Sequence, residues 1–139
     1  MLRLGSVYYR FFYLCNMTEK EQHIIKLIHN RILEKDPAAE VILYGSHARG
    51  TPHKESDWDI LILLKNVTVD KRIEQSFRHH LFDLELEIGE PISVFVYSKK
   101  DWENKYYITP FYKSIKREGK KIHDGKPVGL SELPDSKII

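Results

Sequence analysis

Cysteine occurs once in this 139-residue chain, at Cys15, so no disulfide can close within it. That excludes a disulfide-stapled secreted scaffold and fits a reducing compartment, so a cytoplasmic protein is expected. An excess of one charge is also lacking. Lys and Arg number 22 against 20 Asp and Glu, for a net charge of +2. Nothing global then demands nucleic acid or an anionic membrane as a partner. Repeats and low-complexity segments are absent. Residues 1–16 are rich in Tyr and Phe, but Arg3, Arg10 and the tyrosines break the apolar stretch, and no small-residue cleavage site follows. Both a signal peptide and a membrane span are therefore rejected. Met17 reads as the true start, with an added arm over residues 1–16 as the alternative. The length predicts one small domain, residues 17–125, followed by a loosely ordered tail at residues 126–139.

From Thr18 onward the pattern is regular. Thr18 with Glu21 makes a capping box, and Ile24, Ile25, Leu27, Ile28, Ile32 and Leu33 form the apolar stripe of a helix that ends before Pro37. Glu40 to Tyr44 reads as a short buried strand, Ser46 to Arg49 as a brief helix, and Thr51 to Ser56 as a polar loop. A second strand runs from Asp59 to Leu64, a helix from Asp70 to about Leu84, and a third strand from Pro91 to Tyr97. Lys100 to Lys120 reads as helical, with many aromatics.

The informative stretch is Val41-Ile42-Leu43-Tyr44-Gly45-Ser46, leading to Gly50 and then to Ser56-Asp57-Trp58-Asp59 ahead of the apolar run Ile60 to Leu64. Along a strand, side chains at i and i+2 share a face, so Asp57 and Asp59 project together while Trp58 points away. Two like charges side by side are costly, and a hard divalent cation such as Mg2+ relieves them. Gly45 and Ser46 stand where a strand gives way to a helix, and the free N–H groups there favour a phosphate. A phosphate seat beside a carboxylate fork suits phosphoryl or nucleotidyl transfer.

In these residues the chain resembles the nucleotidyltransferase superfamily of DNA polymerase beta, and within it the minimal nucleotidyltransferases. Their signature is Gly-Ser, three residues, Gly, a short loop and Asp-x-Asp, matched here by Gly45, Ser46, Gly50, Asp57 and Asp59 between two apolar strands. The resemblance runs from about Thr18 to Gly125. It implies an α/β (α+β) fold, a small mixed β-sheet flanked by helices. It also implies Asp57 and Asp59 as catalytic and metal-holding acids for Mg2+ or Mn2+, and Gly45, Ser46, Arg49 and Gly50 at the nucleotide. The implied reaction passes AMP from ATP to a hydroxyl of a protein or small molecule. The implied partner is a HEPN-type helical toxin, with this chain as the antitoxin. A homo-oligomer is left open, and no membrane is implied.

The family's third acid maps onto Ser93, a neutral hydroxyl that is a poor Mg2+ ligand and no base near neutral pH. Glu85, Glu87 and Glu90 lie close in sequence as possible substitutes. A catalytically decayed nucleotide-binding or protein-interaction module is therefore the alternative reading. Blander roles compete elsewhere. Gly45 and Gly50 can simply permit turns, and Ser46 can cap a helix. His47 and Arg49 are candidates for reaching the nucleotide or just exposed basic residues. His79 and His80 diverge by roughly 100° on a helix and make a poor metal pair. Lys113, Lys116, Arg117, Lys120 and Lys121 would steer an anion or form a solvated face. Trp102, Tyr106, Tyr107, Phe111 and Tyr112 would be core, partner surface or a stacking platform for a base.

Overall fold

The computed structural model describes residues 17–125. The sequence readings for residues 1–16 and 126–139 lie outside the described residues. Helix α1, Glu19–Lys35, starts at the expected box: the Glu21 N–H donates to the Thr18 hydroxyl and the Thr18 N–H to the Glu21 carboxylate, each at 3.1 Å. It ends at Asp36, because the residue before Pro37 is driven out of helical geometry. Its buried stripe is Ile24, Ile25, Ile28 and Ile32. After it come β1 (Glu40–Tyr44), a one-turn α2 (Gly45–Arg49), β2 (Trp58–Leu64), α3 (Lys71–Ile88), β3 (Ile92–Ser98), α4 (Lys99–Asn104), α5 (Pro110–Glu118) and β4 (Lys120–Asp124).

The four strands form one mixed sheet in the order β3-β2-β1-β4. β1 pairs antiparallel with β2 and with β4, while β3 lies parallel to β2 with α3 as the crossover. Helices cover both faces, which explains why Ile60 to Leu64 does not alternate: all five are buried. The α1 and α3 side is aliphatic, with Ile28, Ile32, Val41, Leu43, Ile60, Ile62, Leu81 and Leu84. The α4 and α5 side is smaller and aromatic. There Ile42, Leu61, Leu63 and Ile115 meet Trp102, flanked by Tyr44, Tyr97, Tyr106, Phe111 and Tyr112. The aromatics of the C-terminal part are thus largely core, except Tyr107, which is exposed.

Three element boundaries depart from the sequence reading. The single helical stretch expected over Lys100 to Lys120 is two helices, broken ahead of Pro110. Thr109 takes extended geometry before that proline and caps α5 by accepting from the Tyr112 N–H. Lys120 is not helical but opens β4, Lys120–Asp124, an edge strand made by pairing with β1. α3 also runs four residues past Leu84 to Ile88, stopped by Gly89. Among the described residues no helix is long and apolar enough to cross a membrane.

Candidate active site

The register of β1 against β2 creates the site. Tyr44, the last residue of β1, lies opposite Asp59, the second residue of β2, so the chain leaving β1 turns directly above that carboxylate. Gly45 makes the turn with φ +76°, and a Cβ there would collide with Asp59 Oδ2. Glycine is needed twice over, for the left-handed backbone and for the close approach. Gly50 closes α2 with φ +77°, and the Thr51 N–H donates to the Ser46 carbonyl at 3.0 Å. The loop down to β2 is tied by the His53 N–H donating to the buried Ser56 hydroxyl at 2.8 Å. That tie delivers Asp57 and Asp59 to the same side.

The result is an open cleft of about 540 Å³ with Gly45, Ser46, Arg49, Asp57 and Asp59 in its wall. Burial, followed by the charge of Asp57, pushes the Asp59 carboxyl above the usual aspartate range, with His47 and Arg49 acting in the opposite direction. Burial and the charge of Asp59 also keep the neighbouring Tyr44 phenol protonated, far above its ordinary value. Two carboxylates that repel each other, Asp57 exposed and Asp59 partly buried, offer oxygen donors only and fit a hard divalent cation. Among the described residues no group of three or more Asp, Glu, His or Cys forms a complete cage. The remaining ligands would be phosphate oxygens and water, as Mg2+ commonly prefers.

Four of the sequence-predicted residues, Gly45, Ser46, Asp57 and Asp59, therefore meet. Arg49 joins them, its guanidinium 3.1 Å from Glu118. Gly50 caps α2 and stands outside the cleft wall. His47 does not face the cleft: it is buried on the opposite side of α2, stacked on Trp58 with ring centroids 3.6 Å apart and planes 7° from parallel. His80 is engaged by the Arg31 carbonyl and Glu34, away from any metal partner. Lys113, Lys116, Arg117, Lys120 and Lys121 lie outside the cleft wall, and Lys121 pairs with Glu40.

Ser93 falls opposite Asp59 in the parallel β2/β3 pairing, on the same face of the sheet. The neighbouring glutamates are all occupied elsewhere. Glu85 accepts from the Ile92 N–H at 2.7 Å, Glu87 faces Arg31 at 3.9 Å, and Glu90 binds Trp58 and Lys20, each at 2.9 Å. None of the three lines the cleft.

Helix α5 supplies the far wall through Phe111, Ser114 and Glu118. Sequence reasoning missed Ser114 and Glu118. Their spacing from Phe111, three and seven residues, is the helical stripe that would have grouped them. Phe111 packs edge-on against Tyr44 at 5.3 Å and tilts against Phe95 at 5.5 Å, so the aromatic core reaches the cleft's edge.

The sequence model of the nucleotidyltransferase domain matches residues 25–122, a span that includes every residue of the cleft wall named above. A curated relative, the bifunctional uridylyltransferase/uridylyl-removing enzyme of Pseudoalteromonas translucida (strain TAC 125), is 38% identical over 72 residues. That match takes in 50% of this chain but only 8% of the relative's length. Among solved structures, a mutant of the toxin-antitoxin MntA-HpeT superposes with a TM-score of 0.52 at 18% identity, covering 72% of this chain and 73% of that one. The fold is shared with that protein, and it is the polymerase-beta-like arrangement expected from the sequence. With the family match spanning well over half of its residues, the chain belongs to the nucleotidyltransferase domain family.

Proposed function

We propose that this protein transfers AMP from ATP, with Mg2+ or Mn2+ as cofactor, to a hydroxyl of a protein or small-molecule acceptor: the hydroxyl oxygen bonds to the α-phosphorus, the α–β phosphoanhydride breaks, and pyrophosphate leaves. The observation that carries this reading is the convergence of Gly45, Ser46, Asp57 and Asp59 on one cleft. In it, the backbone N–H groups at Gly45 and Ser46 receive the phosphates, Arg49 offsets their charge, and Asp57 and Asp59 hold the cation. When bound, the cation neutralises triphosphate charge and lowers the pKa of an attacking hydroxyl. The protonated Tyr44 phenol adds a donor beside the reacting end. The uridylyltransferase relative supports nucleotidyl transfer as the reaction class. The fold shared with the toxin-antitoxin MntA-HpeT supports a place in a two-component module; the role proposed for this chain there is that of the antitoxin, acting in the cytoplasm on a HEPN-type helical partner.

A second reading has its own observation. Ser93 occupies the register position beside Asp59 where a further carboxylate would complete the acid set, and Glu85, Glu87 and Glu90 are bound elsewhere. On that reading the cleft binds nucleotide, and contact with the partner protein is the function. The test is label transfer from each α-phosphate-labelled nucleoside triphosphate, with Mg2+ or Mn2+, into an extract of the source cells. Wild type is compared with Asp57→Asn/Asp59→Asn. Label on an acceptor that disappears in the variant establishes the transferase and names its nucleotide. No transfer from the folded wild type leaves the binding module.

A further inference from the structure

Behind the two carboxylates lies a cluster that the proposed reaction does not use. Trp58 is the residue between Asp57 and Asp59, fully buried on the opposite face of the sheet. Its backbone N–H donates to the Pro91 carbonyl at 2.9 Å, at the entrance to β3. Its ring lies flat on His47 of α2, and its indole Nε1–H donates to Glu90 at 2.9 Å. Each of these partners is held in turn. Glu90 uses its second oxygen on Lys20 at 2.9 Å, and the His47 imidazole stands 3.4 Å from Glu21. Glu21 is also the residue that closes the capping box of α1. The first turn of α1, α2, the start of β2 and the entrance to β3 are thereby joined through one indole.

We propose that Trp58 is the positioning residue of the carboxylate pair, its ring clamped between His47 and Glu90 so that the backbone on either side presents Asp57 and Asp59 at the separation a divalent cation needs. A residue serving only as core would need apolar shape alone. Trp58 instead has both ring face and N–H fixed by side chains from other elements, which leaves its flanking backbone little freedom to rotate. Through His47 it also holds α2, whose Gly45 packs on Asp59. Carboxylates at the junction of a strand with the eight-residue connection 50–57 would otherwise lose orientation, and outer contacts of this kind typically tune metal affinity by about 10- to 100-fold. The assignment rests on the metal-dependent reading above and adds to it the device that sets the pair.

The test titrates Mn2+ into the full chain with inorganic tripolyphosphate, following free Mn2+ by electron paramagnetic resonance and melting temperature in parallel. Wild type is set beside Trp58→Phe, which keeps a ring but loses the N–H, Glu90→Ala, which removes the acceptor outside the core, and Asp57→Asn. Both Trp58→Phe and Glu90→Ala are expected to weaken Mn2+ binding by roughly tenfold while staying folded. Normal Mn2+ affinity in both, whatever the change in melting temperature, overturns the assignment and makes Trp58 plain core. A folded wild type that binds no Mn2+ overturns the metal reading and this assignment together, so the two failures are distinct.

Discussion

The two parallel strands β2 and β3 are unequally equipped. β2 enters with Asp57 just before it and Asp59 within it, whereas β3, matched residue for residue beside it, presents Ser93. The β2 side brings together the elements proposed to receive phosphate and cation: the tight turn at Gly45, the helix start at Ser46 and the paired acids. The β3 side has the position but not the charge. On the proposed reading, donor binding and acceptor activation are separable parts of this architecture: the first has its acids in β2, and the second meets a hydroxyl in β3.

The sharpest way to break that inequality is Ser93→Asp. A carboxylate there would stand beside Asp59 on the same face and supply a base to the proposed acceptor side. Transfer to acceptor is expected to rise by about a hundredfold, the scale of a positioned general base, with little change in donor affinity. An unchanged rate in single-turnover assays would mean that acceptor activation is already supplied from elsewhere and that the strands are equal in function.

On the β2 side the most vulnerable position is Gly45. Gly45→Ala places a methyl group against Asp59 Oδ2 and forces a left-handed backbone on a residue with a Cβ. The backbone alone costs about 1–2 kcal/mol. Displacement of Asp59 is expected to weaken Mn2+ binding by roughly tenfold as well. Calorimetry for the first and metal titration for the second separate the two effects. Full metal affinity in the variant would show that Asp59 adapts freely.

How far this comparison was legible beforehand depended on where each signal lies. Gly45, Ser46, Asp57 and Asp59 form a local pattern between two apolar strands, so both the elements and the chemistry could be read from one short stretch. β4 could not. Lys120, Lys121, Ile122, His123 and Asp124 offer a single aliphatic residue and no clear alternation, and the strand exists because β1 has a free edge to pair with. The orientation of His47 was equally hidden. In a five-residue helix every side chain is near an end, and the imidazole went to the buried side because a flat indole lay there to receive it. Glu118 shares a helical stripe with Phe111, but that this stripe faces the cleft follows only from the docking of α5, a tertiary event. The break ahead of Pro110, by contrast, was available in the proline itself.

The electrostatic strain within the acid pair gives a smaller, pH-dependent effect. Burial and Asp57 hold the Asp59 carboxyl above its unfolded value, so its ionised form is less welcome in the folded state than in the unfolded chain. A carboxyl raised in this way contributes stability below its unfolded pKa and loses it as pH rises through the folded one. Metal-free Asp59→Asn should therefore melt a few degrees above wild type at neutral pH. The gap should close as pH falls through the raised folded-state pKa of Asp59, where the carboxyl takes up its proton. Added Mg2+ with tripolyphosphate should reverse the order, since only wild type has both acids to bind it. A difference that is flat across this range would mean that solvent already screens the pair.

The smallest expected effect lies across the cleft, where Glu118 of α5 holds Arg49. With half of the Arg49 side chain and about a fifth of Glu118 exposed, the pair contributes at most about 1 kcal/mol to stability. Its consequence for binding has the opposite sign. Glu118 adds a negative charge to a cleft proposed to receive triphosphate, and it occupies the guanidinium that would meet those oxygens. Glu118→Gln should leave the melting temperature nearly unchanged and tighten tripolyphosphate binding roughly threefold. Weaker binding would reverse the interpretation. Glu118 would then be the group that aims Arg49 at the phosphates, and the α5 wall would belong with the well-equipped side of the site.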